Sequence, residues 1–205
     1  MEKENSIKHV YRFGGGEADG DQSMKELLGG KGANLAEMST IGIPVPAGFT
    51  ISTKACHFYS ENNSTWPKGL KDQVKEGVSF IEDNMNIRLG DSEHPLLLSV
   101  RSGAALSMPG MMDTVLNLGL NDDTVEALSH HTGNERFAYD SYRRFIDMFG
   151  CVVMGINHQK FEDAIESIKA EKSVELDTEL TADDLKDLVD RYKAVYRKST
   201  GYMFP

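Results

Sequence analysis

Two short stretches of the 205-residue chain combine residue types that could handle a phosphorylated ligand. The first is Gly29-Gly30-Lys31-Gly32, placed just before Leu35 and Met38 begin a helical spacing. A helix N-terminus offers unpaired backbone N–H groups and a partial positive charge, which together seat phosphate oxygens. Lys31 would add a full charge beside them; the plainer alternative is a solvated lysine in a flexible loop. The second stretch is Leu96-Leu97-Leu98-Ser99-Val100-Arg101. Its nearly continuous apolar run reads as a strand buried on both faces. A guanidinium at the end of such a strand must meet an anion, because an uncompensated buried charge is costly. That anion is either a ligand or one of the chain's own carboxylates. Ser102-Gly103-Ala104-Ala105 and the Pro109-Gly110 turn then lead to a second apolar run, Val115-Leu116-Asn117-Leu118.

The elements that must position these residues follow from periodicity. Val10-Tyr11-Arg12-Phe13 reads as a strand running into a glycine hairpin or loop from Gly14 to Gly20. That loop fits neither common nucleotide motif. Asp19 stands where G-x-G-x-x-G needs its last glycine, and Gly30-Lys31 is followed by Gly32 where a Walker loop has Ser or Thr. The helix carrying Leu35 and Met38 should stop near Thr40, since Gly42 suits a C-terminal cap and Pro44 and Pro46 cannot continue it. Gly48 to Ser52 reads as a strand, Thr53 as the cap of a helix through Tyr59, and Leu70, Val74, Val78, Ile81 and Met85 as the apolar stripe of another.

Beyond Gly119 helical patterns take over. Asn121 can cap a helix through Leu128, Asp140 to Phe149 forms a long aromatic-rich helix, and Phe161, Ile165 and Ile168 line another. Thr181 and Asp184 resemble a capping box ahead of Leu185, Leu188, Val189 and Tyr192. The expected class is α+β, with a mixed α/β part over residues 1–118 and an all-helical part over residues 119–205.

Composition narrows the function. With 40% hydrophobic and 26% charged residues the chain reads as a soluble globular protein, and no stretch approaches the length of a membrane span. The polar start, Met1-Glu2-Lys3-Glu4-Asn5, is no secretory signal, so a cytoplasmic location is expected. A net charge of −10 without a basic stripe argues against nucleic acid as a partner. Cys56 and Cys151 stand far apart, without ligand-like spacing, and are expected to be buried thiols. His130-His131 are adjacent and would diverge on a helix, so no residue is expected to be a metal ligand.

Taken together and in order, several segments resemble the N-terminal part of the pyruvate phosphate dikinase family. They are Gly29-Gly30-Lys31-Gly32-Ala33-Asn34-Leu35-Ala36-Glu37-Met38, Ile43-Pro44-Val45-Pro46-Ala47-Gly48-Phe49 and Ser99-Val100-Arg101-Ser102-Gly103-Ala104. Ser107-Met108-Pro109-Gly110-Met111-Met112-Asp113-Thr114 and Arg136 to Phe145 complete the set. The resemblance covers nearly the whole chain. It implies the first lobe of an ATP-grasp fold with a helical insertion, in which two lobes close over ATP and Mg²⁺. It also implies that Lys31 and Arg101 bind the ATP phosphates and stabilise charge on the transferring group. Gly110 and Thr114 match nucleotide-contacting positions, and the magnesium ligands are expected in the second lobe, outside this chain.

A full-length family enzyme interconverts ATP, phosphate and pyruvate with AMP, pyrophosphate and phosphoenolpyruvate. It does so through a phosphohistidine on a swivelling domain, with a further domain for pyruvate, and such an enzyme could be a homo-oligomer. The 205-residue chain lacks those parts, so by itself it is expected to be catalytically incomplete. Phosphoenolpyruvate synthase, an antibiotic phosphotransferase and a non-catalytic nucleotide-binding module are the alternatives.

Overall fold

The structure, a computed structural model, describes residues 7–103 and 113–205. It divides into two units, Met1–Asn86 with Ser102–Met112 and Ile87–Arg101 with Asp113–Pro205. The class is α+β, as the sequence implies.

The first unit is built on three antiparallel strands, β1 (Val10–Gly14), β2 (Glu17–Ala18) and β3 (Gly48–Ile51), in the order β2-β1-β3. The glycine run after β1 makes the β1–β2 hairpin, with Phe13 opposite Ala18 and Gly14 opposite Glu17. On the other edge Val10 faces Ile51 and Phe13 faces Gly48. Three helices accompany this sheet: α1 (Lys25–Thr40), α2 (Thr53–Glu61) and α3 (Leu70–Met85).

Polar side chains fasten helices to strands where backbone groups would otherwise be unsatisfied. The Gln73 amide on α3 accepts from the N–H groups of His9 (2.7 Å) and Val10 (3.1 Å) and donates to the Ile7 carbonyl (2.8 Å). Buried Ser39, near the end of α1, accepts from Gly14 N–H at 3.0 Å and donates to the Glu17 carbonyl at 2.9 Å. The cap of α2 differs from expectation by one residue. Ser52, not Thr53, caps its N-terminus, and the Thr53 hydroxyl instead donates to the Glu26 carbonyl at 2.7 Å.

The second unit holds α4 (Asp122–Thr132), α5 (Glu135–Met148), α6 (Gln159–Lys172) and α7 (Ala182–Thr200), with a two-stranded antiparallel hairpin of β4 (Leu98–Arg101) and β5 (Thr114–Leu118). Its core is helical. Ile146, Phe161, Leu185 and Leu188 are wholly buried, and burial of each such side chain contributes roughly 1.5–3 kcal/mol. Phe204 packs edge-on against Tyr142, Phe145, Phe149 and Tyr196, at ring separations of 5.2 to 6.2 Å.

The expected caps form. Asn121 and Thr124 exchange bonds as a capping box on α4, and Thr181 and Asp184 do so on α7. Buried Arg143 is compensated, as a buried charge must be. It lies 2.9 Å from Asp140 and 3.0 Å from Asp177.

β4 and β5 both fall within the second unit. Val115 is buried in the helical core and Leu97 and Leu118 pack against it, so the hairpin groups with the helices. A change in composition marks where strands cease; it does not show which layer the last strands cover.

Candidate functional site

Lys31 sits in α1, and the local backbone decides what it can do. Gly29 interrupts this helix with φ 68° and ψ 165°, a conformation that glycine adopts without the cost a Cβ would bring. The helical path therefore starts afresh at Gly30 and continues to Thr40, which puts Lys31 in the first turn of the restarted segment, four residues before the start that Leu35 suggests. The N–H groups of such a turn lack partners within the helix. Lys31 is half-buried, and among the described residues it forms no ion pair. Gly32 beside it is buried: a Cβ there would stand 2.7 Å from the Thr50 hydroxyl on β3. The third glycine of this motif thus serves helix–sheet packing.

Arg101 ends β4 and lies directly opposite Thr114, the first residue of β5. The structure brings these two together, in the second unit; Lys31 belongs to the first. The surroundings of Arg101 correct one expectation. β4 is not buried on both faces, because Ser99, Val100 and Arg101 are exposed, with Val100 51% accessible. A two-stranded ribbon has no third strand beside it. Only Leu96, just before β4, is fully covered in the apolar run. Arg101 is therefore not held in advance by a buried strand; its Nε donates to the Ser99 hydroxyl at 3.3 Å, two residues back on the same face. Gly110 lies outside the described residues.

Among the clefts formed by the described residues, two lie within single units. One of about 610 Å³ in the second unit is lined by Glu93, His94, Asp123, Glu126, His130 and His131, and the His94 and His131 rings meet edge to face at 4.8 Å. Its three carboxylates make it a poor seat for phosphate at neutral pH. The other, of about 390 Å³ in the first unit, has Arg12 and Lys75 balanced by Glu76 and Asp83. Neither includes Lys31, Arg101 or Thr114.

The cysteines depart from expectation too. Cys56 is exposed, whereas half-buried Cys151 lies 3.2 Å from Asp147 and 3.7 Å from His158. Burial, reinforced by the hydrogen bond to Asp147 and by its negative charge, pushes the Cys151 thiol up to about 12. The spacing of Asp147 and Cys151, four residues apart, is legible in the sequence. The approach of His158 is not, since it depends on how the chain turns after α5.

Residues 25–84 match the family described as "Pyruvate phosphate dikinase, AMP/ATP-binding domain", a span that contains Lys31. Over 97% of its length the chain is 60% identical to "Pyruvate, phosphate dikinase, chloroplastic" of Flaveria trinervia and 58% identical to "Pyruvate, phosphate dikinase 1, chloroplastic" of Oryza sativa subsp. japonica. It is 56% identical over 98% of its length to "Pyruvate, phosphate dikinase 2" of Zea mays. The chain spans about a fifth of the length of these relatives: 21%, 21% and 22%.

Proposed function

From a chain related over nearly its whole length to the N-terminal part of pyruvate, phosphate dikinases, we infer that it supplies nucleotide-binding machinery for phosphoryl transfer. The observation that carries this is the break in α1 at Gly29, which puts Lys31 in the first turn of the helical path that resumes at Gly30, inside the segment matching an AMP/ATP-binding domain. In this reading the fold is the first lobe of an ATP-grasp pair, and Lys31 holds the nucleotide's phosphates. Arg101 and Thr114, side by side at the loop end of the hairpin in the second unit, offer a guanidinium fork and a hydroxyl for phosphate oxygens. ATP is the ligand. Mg²⁺ would offset the charge of the phosphates, with its protein ligands expected mainly outside this chain.

The complete reaction, interconverting ATP, phosphate and pyruvate with AMP, pyrophosphate and phosphoenolpyruvate through a phosphohistidine, belongs in this reading to a longer assembly. In-line transfer needs a positioned nucleophile as well as held phosphates. In this reading Arg101, which is exposed, is a ligand-ordered side chain that becomes fixed when phosphate arrives.

Calorimetric titration of the 205-residue chain with ATP and Mg²⁺ tests the reading. A charged hydrogen bond is worth roughly 1.5–3 kcal/mol, so Lys31→Ala should weaken binding about 10- to 100-fold. Equal affinities of parent and variant would remove Lys31 from the site. Pyruvate-dependent AMP formation by the chain alone would refute its role as one part of a larger catalyst.

A further inference from the structure

Where α5 ends, the chain passes through one turn of π-helix, Phe149–Val153, with Met154 N–H bonded to the Phe149 carbonyl at 3.2 Å. Single π turns interrupting helical segments recur at functional sites. Here the turn carries Cys151, one helical turn beyond Asp147, and the chain then returns at His158, just before α6. Three ligand atoms of different chemistry meet as a result. Asp147 Oδ1 lies 3.2 Å from Cys151 Sγ and 3.0 Å from His158 Nδ1, and the sulfur lies 3.7 Å from that nitrogen. The same three atoms make all three contacts.

These separations can be compared with a coordination sphere. With bonds of about 2.3 Å to sulfur, 2.0–2.1 Å to imidazole nitrogen and 2.0–2.2 Å to carboxylate oxygen, tetrahedral geometry sets ligand atoms roughly 3.3–3.6 Å apart. Each observed side of the triangle is within a few tenths of an ångström of that range. The far nitrogen of the imidazole is also accounted for. His158 Nε2 lies 3.1 Å from Glu162 Oε1, the carboxylate–histidine arrangement that fixes the tautomer and aims Nδ1 inward. His158 is 59% exposed and Asp147 19%, which leaves an open side for entry and for a water as fourth ligand.

We propose that Asp147, Cys151 and His158 form a three-ligand site for a Zn²⁺-type cation, with Glu162 as the positioning residue for the imidazole. The mixed sulfur, nitrogen and oxygen donor set suits a borderline cation and excludes magnesium, which takes oxygen ligands in octahedral geometry. Binding releases the thiol proton to solvent and leaves sulfur coordinated as thiolate. The site lies in the helical unit and is independent of the nucleotide reading.

Co²⁺ is the probe, because a thiolate ligand gives it an intense charge-transfer band, with Zn²⁺ calorimetry in parallel. The metal-free chain should take up one equivalent of Co²⁺ with that band. Cys151→Ser should abolish the band and weaken Zn²⁺ at least 10-fold, while Cys56→Ser, which alters the other thiol, should change neither. His158→Gln and Glu162→Gln, both at exposed side chains, should weaken Zn²⁺ roughly 10- to 100-fold and carry the test if Cys151→Ser loses its helical circular dichroism. No charge-transfer band in the parent, a band that survives Cys151→Ser, or Zn²⁺ affinity indifferent to His158→Gln would overturn the proposal.

Discussion

Replacing Gly32 with alanine should destabilise the first unit, although alanine is the better helix former. Alanine for glycine inside a helix is worth roughly 0.8–1.0 kcal/mol. Against this, the new methyl would stand 2.7 Å from Thr50 Oγ1 and 2.9 Å from Thr50 Cγ2, where ordinary contact begins at 3.4 Å. Thr50 is β-branched and cannot swing one atom clear without presenting the other. Leu28 Cβ at 3.3 Å closes a further side. Overpacking of this kind costs about 1–3 kcal/mol, so the expected net loss is about 1 kcal/mol.

In a Thr50→Ala background both clashing atoms are gone, and the same glycine substitution should become neutral or stabilising by up to about 1 kcal/mol. The sign reversal is the test. Urea unfolding followed by the fluorescence of Trp66, the single tryptophan and part of the first unit, reads the four members of the cycle. A higher midpoint for Gly32→Ala in the parent, or a coupling within the ~0.3–0.5 kcal/mol of simple additivity, would refute the packing argument.

Two further outcomes are expected. The Asp184 carboxyl is lowered to about 2, first by Lys172 at 2.7 Å and then by the Thr181 hydroxyl and backbone. Its folded value lies below its ordinary 3.8, so its contribution is present above about pH 4 and is lost as pH falls toward 2. Asp184→Asn should therefore lower the helical melting temperature at pH 7 and converge with the parent near pH 2, while Thr181→Ala, losing about 1 kcal/mol of cap, should melt roughly 2–4 °C lower at pH 7. The two thiols should differ in reactivity. In chelator at pH 8 maleimide should modify exposed Cys56 well before Cys151, whose burial and bond to Asp147 keep it protonated; mass spectrometry showing the reverse order would contradict that environment.

Much of the local structure was legible because it depends on neighbours in sequence. The Asn121 and Thr181 caps, the end of α1 before Gly42 and Pro44, the glycine hairpin after β1 and the helical stripes of α3 and α7 all follow from residues a few positions apart. So did Lys31 as a candidate, since three glycines around one lysine ahead of a helix is itself a local pattern.

What the tertiary structure decided depends on which surface each element covers. Leu96 to Val100 reads as a doubly buried strand, yet among the described residues β4 has only β5 beside it, and Val100 and Arg101 are left in solvent. The apolar run carries no information about the number of neighbouring strands. Val115 faces helices far along the chain, so the hairpin belongs with them and not with the strands that precede it. The start of the helix at Gly30 needed the backbone angles of Gly29, which one of several adjacent glycines could have supplied. Asp147 and Cys151 share a helical repeat, but the return of His158 to them is set by a π turn that spacing alone does not show.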